Sequence, residues 1–133
     1  MHRLVVLDTN VVVSAFMSPQ GNPAKILDMV TDEKIGVCYS SKILAEYIEV
    51  LSRPRFNFCE DDRAAFIQGV RQFGMLVDPS PSDLSFPDES DRVFYDVAKL
   101  VDAFLITGNI KHFPDESFIV TPVEFLVLAN DYL

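Results

Sequence analysis

The chain has 133 residues, of which 49% are hydrophobic and 23% charged, and its formal charge is −9 at pH 7. This length fits one domain, residues 1–133, and the apolar content can offset the entropy of ordering a core, which excludes a disordered protein. The acidic surplus argues against passive adhesion to nucleic acid, because phosphate binding relies on clusters of Lys and Arg.

The apolar stretches are short, and none approaches the ~20 residues that a membrane-spanning helix requires. The first apolar run breaks at Asp8 and no small-residue cleavage site follows it, so a signal peptide is not expected. Cys38 and Cys59 are isolated thiols without the spacing of metal ligands, which favours a reducing compartment. We therefore expect a cytoplasmic protein that does not enter a membrane.

Short apolar strands alternate with amphipathic helices along the sequence. Strands are predicted over residues 3–7, 34–39, 75–77, 103–107 and 118–120. Helices are predicted over residues 22–31, 43–51, 60–73 and 91–101, and from Pro122 towards the end. This alternation predicts a three-layer α/β/α sandwich around a central, mostly parallel sheet of four to five strands. In such a sheet, functional groups collect at the carboxyl ends of the strands.

The helix starts are marked by residues that favour capping. Asn22 is expected to cap the first predicted helix, with Pro23 in its first turn. Ser40 or Ser41 caps the next one. Ser90 is expected to cap the helix of residues 91–101.

Asp8, Thr9 and Asn10 follow the first strand directly, where an open α/β sheet places its ligands. A carboxylate, a hydroxyl and an amide are thus delivered to one edge of the sheet. The alternative for Asp8 or Thr9 is that its side chain caps a following turn, which is common for these residue types.

Two helical acids lie at the border of an apolar face. Glu46 borders the apolar arc of its helix, whereas Glu49 points towards the polar side. Asp91 borders the arc of a later helix, whereas Asp96 is expected to face water. Two structural alternatives stay open, since Asp91 can complement the helix dipole and a single border acid is typical of solvated surface.

A fourth segment reaches the same edge through Thr107, Gly108 and Asn109, which follow the strand of residues 103–107. Repulsion between carboxylates gathered there would raise their pKa values unless a divalent cation neutralised them. Because the ligands are oxygen atoms, the sequence favours Mg²⁺ or Mn²⁺.

Several sequence blocks occur in an informative order: LDTNV at 7–11 with SA at 14–15, LAEY at 44–47 with VLSRP at 50–54, DRVFY at 91–95, LITGN at 105–109, KHF at 111–113 and VTP at 120–122. In this order the sequence resembles the PIN-domain ribonucleases, in particular the toxin-like branch of bacterial toxin–antitoxin systems. The resemblance covers nearly the whole chain; each block is weak alone, but their order is specific.

The resemblance implies a catalytic site made of Asp8, Glu46, Asp91 and Asn109, supported by Thr9, Asn10 and Thr107. Asp8, Glu46 and Asp91 would be the metal ligands. Members of the family often carry a fourth acid where this chain has Asn109, whose amide brings no negative charge. Asp88, Asp102 and Asp115 are candidates to restore that charge.

The implied reaction is hydrolysis of RNA phosphodiester bonds with Mg²⁺ or Mn²⁺ as cofactor. The resemblance also implies a homodimer and a small antitoxin protein that occludes the site. RNA would need a local basic rim on this acidic protein. The candidates for RNA contact are Arg53, Arg55, Arg92, Lys111 and His112.

Two other functions stay open. One is a PIN-like module that has lost turnover through Asn109 and only binds RNA or a partner protein. The other is an aspartyl phosphatase of the haloacid-dehalogenase type, since a strand that ends in an acid suits a covalent nucleophile. Asn10 disfavours the phosphatase, because that chemistry generally needs a second Asp two residues after the first.

Overall fold

Strands and helices alternate over the part of the chain that the computed structural model describes, residues 3–132, with side chains for residues 3–130. The strands are β1 (Arg3–Leu7), β2 (Ile35–Tyr39), β3 (Met75–Leu76), β4 (Phe104–Ile106) and β5 (Ile119–Val120). The α-helices are α1 (Thr9–Met17), α2 (Asn22–Thr31), α3 (Ser41–Leu51), α4 (Glu60–Phe73), α5 (Arg92–Val101) and α6 (Pro122–Tyr132). None of these described helices is long and apolar enough to cross a membrane. Residues 1, 2 and 133 of the predicted domain lie outside the described residues.

The five strands form one sheet in the order β3-β2-β1-β4-β5, and every pairing is parallel. Parallel neighbours require crossover connections: α1 and α2 connect β1 to β2, α3 and α4 connect β2 to β3, and α5 connects β3 to β4. Accordingly α5 contacts β1, β2 and β4, while α2 packs against α1 and α6. The prediction of a three-layer sandwich with a parallel sheet is confirmed.

The core lies on both faces of the central strand. Val5, Val6 and Leu7 of β1 are fully buried, as expected for a parallel strand covered by helices on both sides. Phe94 of α5 and Phe125 of α6 are among the largest fully buried side chains. The end of β1 is therefore held rigidly, and so is the residue that follows it.

Helix α1 was not predicted from the sequence. Val11, Val12 and Val13 form a β-branched run, and such residues lower helix propensity through their restricted χ1 angles. The helix forms because Val11, Val12 and Ala15 are buried and α1 packs against α2 and α3. Tertiary packing outweighs local propensity here.

The predicted cap of α2 is wrong by one residue. Gly21 is the capping residue, and Asn22 is the first residue of the helix, with Pro23 in the first turn as expected. Ser40, one of the two predicted caps of α3, does cap it, because its hydroxyl accepts a hydrogen bond from the amide of Ile43 at 3.1 Å.

The start of α5 also differs from the prediction, because Ser90 does not cap it. A short 3-10 helix, Glu89–Asp91, precedes α5, and the carboxylate of Asp88 accepts a hydrogen bond from the Ser90 amide at 3.0 Å. Asp96 does not face water: it is buried, and it accepts a hydrogen bond from the Ser82 amide at 3.0 Å. That bond ties the loop between β3 and the 3-10 helix to α5.

Candidate functional site

Asp8 lies at the carboxyl end of the central strand and is only 6% exposed. Its amide extends the sheet by donating to the carbonyl of Ile106 at 3.0 Å, and its Oδ2 accepts a hydrogen bond from the Thr107 hydroxyl at 2.7 Å. Asp8 precedes α1, but its carboxylate makes no capping hydrogen bond with that helix. The side chain is therefore directed to the end of β4.

Thr107 and Asn10 fix the loop after β4 against the start of α1. The Thr107 hydroxyl also accepts a hydrogen bond from the amide of Asn109 at 2.9 Å. The side-chain oxygen of Asn10 accepts one from the Gly108 amide at 3.2 Å. Both residues thus position the backbone around Asp8.

Replacing Thr107 by Val is expected to lower the free energy of unfolding by about 1–3 kcal/mol, because the buried Asp8 carboxylate and the partly buried Asn109 amide both lose their hydrogen-bond partner. Urea denaturation measures the effect. Thr31→Val is the matched control, since the exposed Thr31 hydroxyl donates only to the Leu27 carbonyl of its own helix. Equal stability losses in both variants would contradict a structural role for Thr107.

Glu46 of α3 lies beside Asp8 because α3 is anchored at the end of β1. The hydroxyl of the fully buried Tyr47 donates a hydrogen bond to the carbonyl of Leu7. The hydroxyl of Thr9 donates to the carboxylate of the half-buried Glu46. Thr9 therefore positions a candidate metal ligand, as Thr107 does for Asp8.

Asp91 is the third acid of a cluster with Asp8 and Glu46, and it lies in the 3-10 helix before α5. It is 9% exposed, and its Oδ2 is buried without a hydrogen-bond partner. The His112 ring lies beside it, with Nδ1 3.5 Å from that oxygen. A buried carboxylate oxygen without a hydrogen bond is unusual and calls for a partner.

Burial raises the pKa values of all three carboxylates, and neighbouring acids add to the rise. Burial raises the pKa of Asp8 from 3.8 to about 6, the Thr107 hydrogen bond opposes this rise, and the charge of Asp91 adds to it. Burial also raises the pKa of Glu46, with contributions from Asp8 and Asp88, and that of Asp91, with contributions from Asp88 and Glu46. A cation between these groups would relieve both the burial and the repulsion.

The donor set fits a hydrated divalent cation. Among the side chains described, those of residues 3–130, no three from His, Cys, Asp or Glu are arranged as a ready set of metal ligands. Mg²⁺ does not require such a set, because it usually keeps several waters and is held by one or two carboxylates. Such an ion would give a ligand contact to Oδ2 of Asp91, which has the His112 ring at 3.5 Å but no hydrogen bond, and it would relieve the repulsion among Asp8, Glu46 and Asp91.

Two of the arginines considered for RNA contact are engaged within the chain. Arg53 forms two hydrogen bonds with Glu49, at 2.8 and 2.9 Å. Arg92 pairs with Glu89 at 2.6 Å and donates to the carbonyl of Ser82, and its side chain is only 16% exposed. Arg92 therefore holds the loop at Ser82, together with Asp96. Neither the pairing of Arg53 with Glu49 nor the contact of Arg92 with Ser82 was predicted from the sequence.

The other candidates for RNA contact divide into two places. Arg55 lies over the ring of Phe56, beyond the end of α3. Lys111 and His112 lie in a short 3-10 helix, Ile110–His112, directly after Asn109. The side chains of Asn109, Lys111 and His112 are exposed. Nδ1 of His112 lies 3.5 Å from Oδ2 of Asp91, so the ring faces the acidic cluster.

A cavity of about 680 Å³ lies away from the acids, between α2, α4 and the strands β1 and β2. Its lining is mostly apolar, including Leu27, Phe66 and Val70, and Glu33 is the one acid that contributes to it. Since the cavity gathers no set of reactive groups, the acidic cluster at the strand ends is the candidate site.

The chain is similar to known proteins in sequence and in fold. A family model described as the PIN domain matches residues 4–111. An uncharacterized protein of Methanocaldococcus jannaschii is 32% identical over 108 residues, which are 79% of this chain and 70% of that protein. The crystal structure of VapBC2 from Rickettsia felis, bound to a DNA fragment from its promoter, contains a chain with the same fold. It matches with a TM-score of 0.54 at 19% identity, over 81% of this chain and 89% of the other.

Proposed function

Because the chain belongs to the PIN-domain family, we propose that it is a magnesium- or manganese-dependent endoribonuclease and the toxin of a toxin–antitoxin pair. Proteins with this domain are generally nucleases. The observation that carries the proposal is the cluster of Asp8, Glu46 and Asp91, in which one buried carboxylate oxygen has no hydrogen-bond partner.

The residues of the cluster have distinct tasks in this proposal. Asp8, Glu46 and Asp91 bind the cation, and the hydroxyls of Thr107 and Thr9 hold two of these carboxylates in place. When bound, the cation supplies Lewis acidity and lowers the pKa of a water molecule. By holding the cation, the three carboxylates would fix the place where this chemistry acts, and burial of Asp8 and Asp91 limits competition from bulk water.

A chain with this net negative charge can bind RNA only through a small region that carries donors for phosphate oxygens. Lys111 and His112 lie next to the acidic cluster and provide donors for phosphate oxygens. Because Arg53 and Arg92 are paired with acids, few phosphates would be neutralised. We therefore expect binding to be weak without the metal and to depend only modestly on salt.

The test is cleavage of a labelled RNA by the purified protein with Mn²⁺, with Mg²⁺ and with a chelator. We expect internal cleavage with either ion and none with the chelator. A DNA strand of the same sequence is the control for substrate class. An equal rate in the chelator would contradict the metal mechanism, and equal cleavage of the DNA strand would contradict RNA specificity.

As the toxin of such a pair, the protein would form a homodimer in the cytoplasm and would have a small inhibitory protein as its partner. The fold likeness to VapBC2 supports it. The expected observation is that a small protein encoded beside this one co-purifies with it and inhibits cleavage. Light scattering that finds only monomer, and cleavage that is unaffected by the neighbouring protein, would contradict this assignment.

One observation favours a second function, a PIN-like module that binds RNA or a partner without cleaving. Asn109 brings no charge, and the described acids do not form a ready set of three ligands. Metal or RNA binding without cleavage would support that function.

The phosphatase alternative is weaker, because Asn10 accepts a hydrogen bond from the Gly108 amide. Trapping of a phosphoryl group on Asp8 would revive it.

A further inference from the structure

We infer that Arg55, Phe56 and Phe58 form a stacking platform, on which one base of a single-stranded RNA is held beyond the end of α3. This inference rests on the proposed function and deepens it, because it names a contact that the substrate makes away from the acids. The rings of Phe58 and Phe56 are nearly parallel, with centroids 5.1 Å apart and 6° between their planes. The guanidinium carbon of Arg55 lies 4.8 Å from the centre of the Phe56 ring.

Arg55 is the member of the platform that is open to a ligand. It is exposed, and among the side chains of residues 3–130 it forms no ion pair and no hydrogen bond. Arg53 is occupied by contrast, because Glu49 accepts two hydrogen bonds from it. With 20 acidic and 11 basic residues in the chain, an arginine without an acidic partner is not explained by a lack of acids. The guanidinium of Arg55 therefore keeps its donors, and the face turned away from Phe56, available to a ligand.

The turn after α3 fixes the position of the platform. The amides of Phe56 and Asn57 donate hydrogen bonds to the carbonyls of Arg53 and Pro54, each at 3.1 Å. Asn57 has a φ of 50°, a left-handed conformation that asparagine tolerates. Stacking on Phe56 restricts the long side chain of Arg55 before any ligand binds, so less conformational entropy is lost on binding.

A continuous row of aromatic contacts connects the platform to the end of β1. The row begins at Tyr47, which follows Glu46 in α3 and donates its hydroxyl hydrogen bond to the Leu7 carbonyl. Successive ring centroids are 5.7, 5.8, 5.2 and 5.1 Å apart, in the order Tyr47, Phe66, Phe16, Phe58, Phe56. Because Phe16 lies near the end of α1 and Asp8 directly precedes that helix, roughly 12 Å of helix separates Asp8 from Phe16. A stacked strand advances about 3.4 Å for each nucleotide, so one short RNA can reach both the acids and the platform.

The surface that the platform offers is the kind that unpaired bases occupy. Bases of single-stranded RNA stack on aromatic rings and on the planes of arginine guanidinium groups. The donors at the edge of the guanidinium can then contact a phosphate of the same strand. A base stacked on Arg55 would hold the strand at a fixed distance from Asp8, whereas the phosphate donors of Lys111 and His112 lie beside the acids.

The test compares Arg55→Lys with Arg53→Lys in the whole protein. Both substitutions keep the positive charge and remove the planar guanidinium, and both positions are exposed, so the fold is retained. Affinity for a fluorescently labelled single-stranded RNA is measured by anisotropy at low salt in a chelator, where metal-dependent cleavage does not occur. We expect Arg55→Lys to lower the affinity about tenfold, as one lost stacking contact does, and Arg53→Lys to leave it unchanged. Phe56→Leu, which removes the ring beneath the guanidinium, is expected to weaken binding in the same way.

An abasic strand of the same length separates stacking from phosphate contact. The wild type and Arg55→Lys are expected to bind it equally, because it offers phosphates but no base. Wild-type affinity of Arg55→Lys or Phe56→Leu for the normal RNA, an equal loss in Arg53→Lys, or a loss that persists on the abasic strand would overturn the inference. The expected binding pattern without any cleavage in Mn²⁺ would overturn the proposed nuclease alone. A wild type that binds no RNA would overturn both.

Discussion

Replacing Asp8 by Asn is expected to lower the rate of manganese-dependent RNA cleavage by about a hundredfold to a thousandfold. The side-chain oxygen of asparagine can still accept the hydrogen bond from Thr107, so the end of β1 keeps its position. What is lost is the negative charge at the most deeply buried corner of the acidic cluster. Single-turnover cleavage at saturating Mn²⁺ measures the chemical step without the contribution of metal affinity.

Asp102→Asn serves as the control, because Asp102 is an exposed acid at the end of α5 away from the site. It changes the net charge by the same amount and is expected to leave the cleavage rate close to that of the wild type. If Asp8→Asn also cleaved at the wild-type rate, Asp8 would have no part in the reaction. If instead both variants were slowed equally, the effect would come from net charge.

The strands were predictable because the apolar runs are short, rich in β-branched residues and bounded by polar residues. Val5, Val6 and Leu7 are buried on both faces of the sheet, which is the pattern that a continuous apolar run indicates. Helix α1 was not predictable in the same way. Its valines favour strands locally, and only contacts with distant α2 and α3 decide the outcome.

The candidate site was predictable where the argument depended on strand ends alone. The sheet brings Asp8 and Thr107 within hydrogen-bond distance, although 99 positions separate them in the sequence. Contacts made by loops could not be predicted from the sequence. Nothing local in the sequence indicates that Asp96 is buried against the Ser82 amide, since a helical wheel places Asp96 on the polar side. The proximity of Asp88 to Asp91 likewise depends on a 3-10 turn that propensity does not specify.

The same substitution, Asp8→Asn, is expected to stabilise the protein at about pH 7.5 when no divalent metal is present. Burial raises the pKa of Asp8 from 3.8 to about 6, so the folded state holds a proton that the unfolded chain has already released. The free energy of unfolding of the wild type therefore falls as the pH rises from about 4 through about 6. At about 1.4 kcal/mol for each pH unit, the loss amounts to about 3 kcal/mol.

Urea denaturation in a chelator, across this pH range, compares the two proteins directly. The difference in stability should be small near pH 4 and should grow to about 3 kcal/mol in favour of Asp8→Asn at neutral pH. Groups such as Glu49 and Glu116, whose pKa values are lowered, are common to both proteins, so their contributions cancel in the comparison. Adding Mn²⁺ at about a hundredfold excess over its Kd should stabilise the wild type by about 2.7 kcal/mol and remove most of the difference. An Asp8→Asn variant that is less stable than the wild type at neutral pH without metal would contradict this account. It would mean that the folded protein already compensates the buried charge, and that no cation is needed to hold the cluster together.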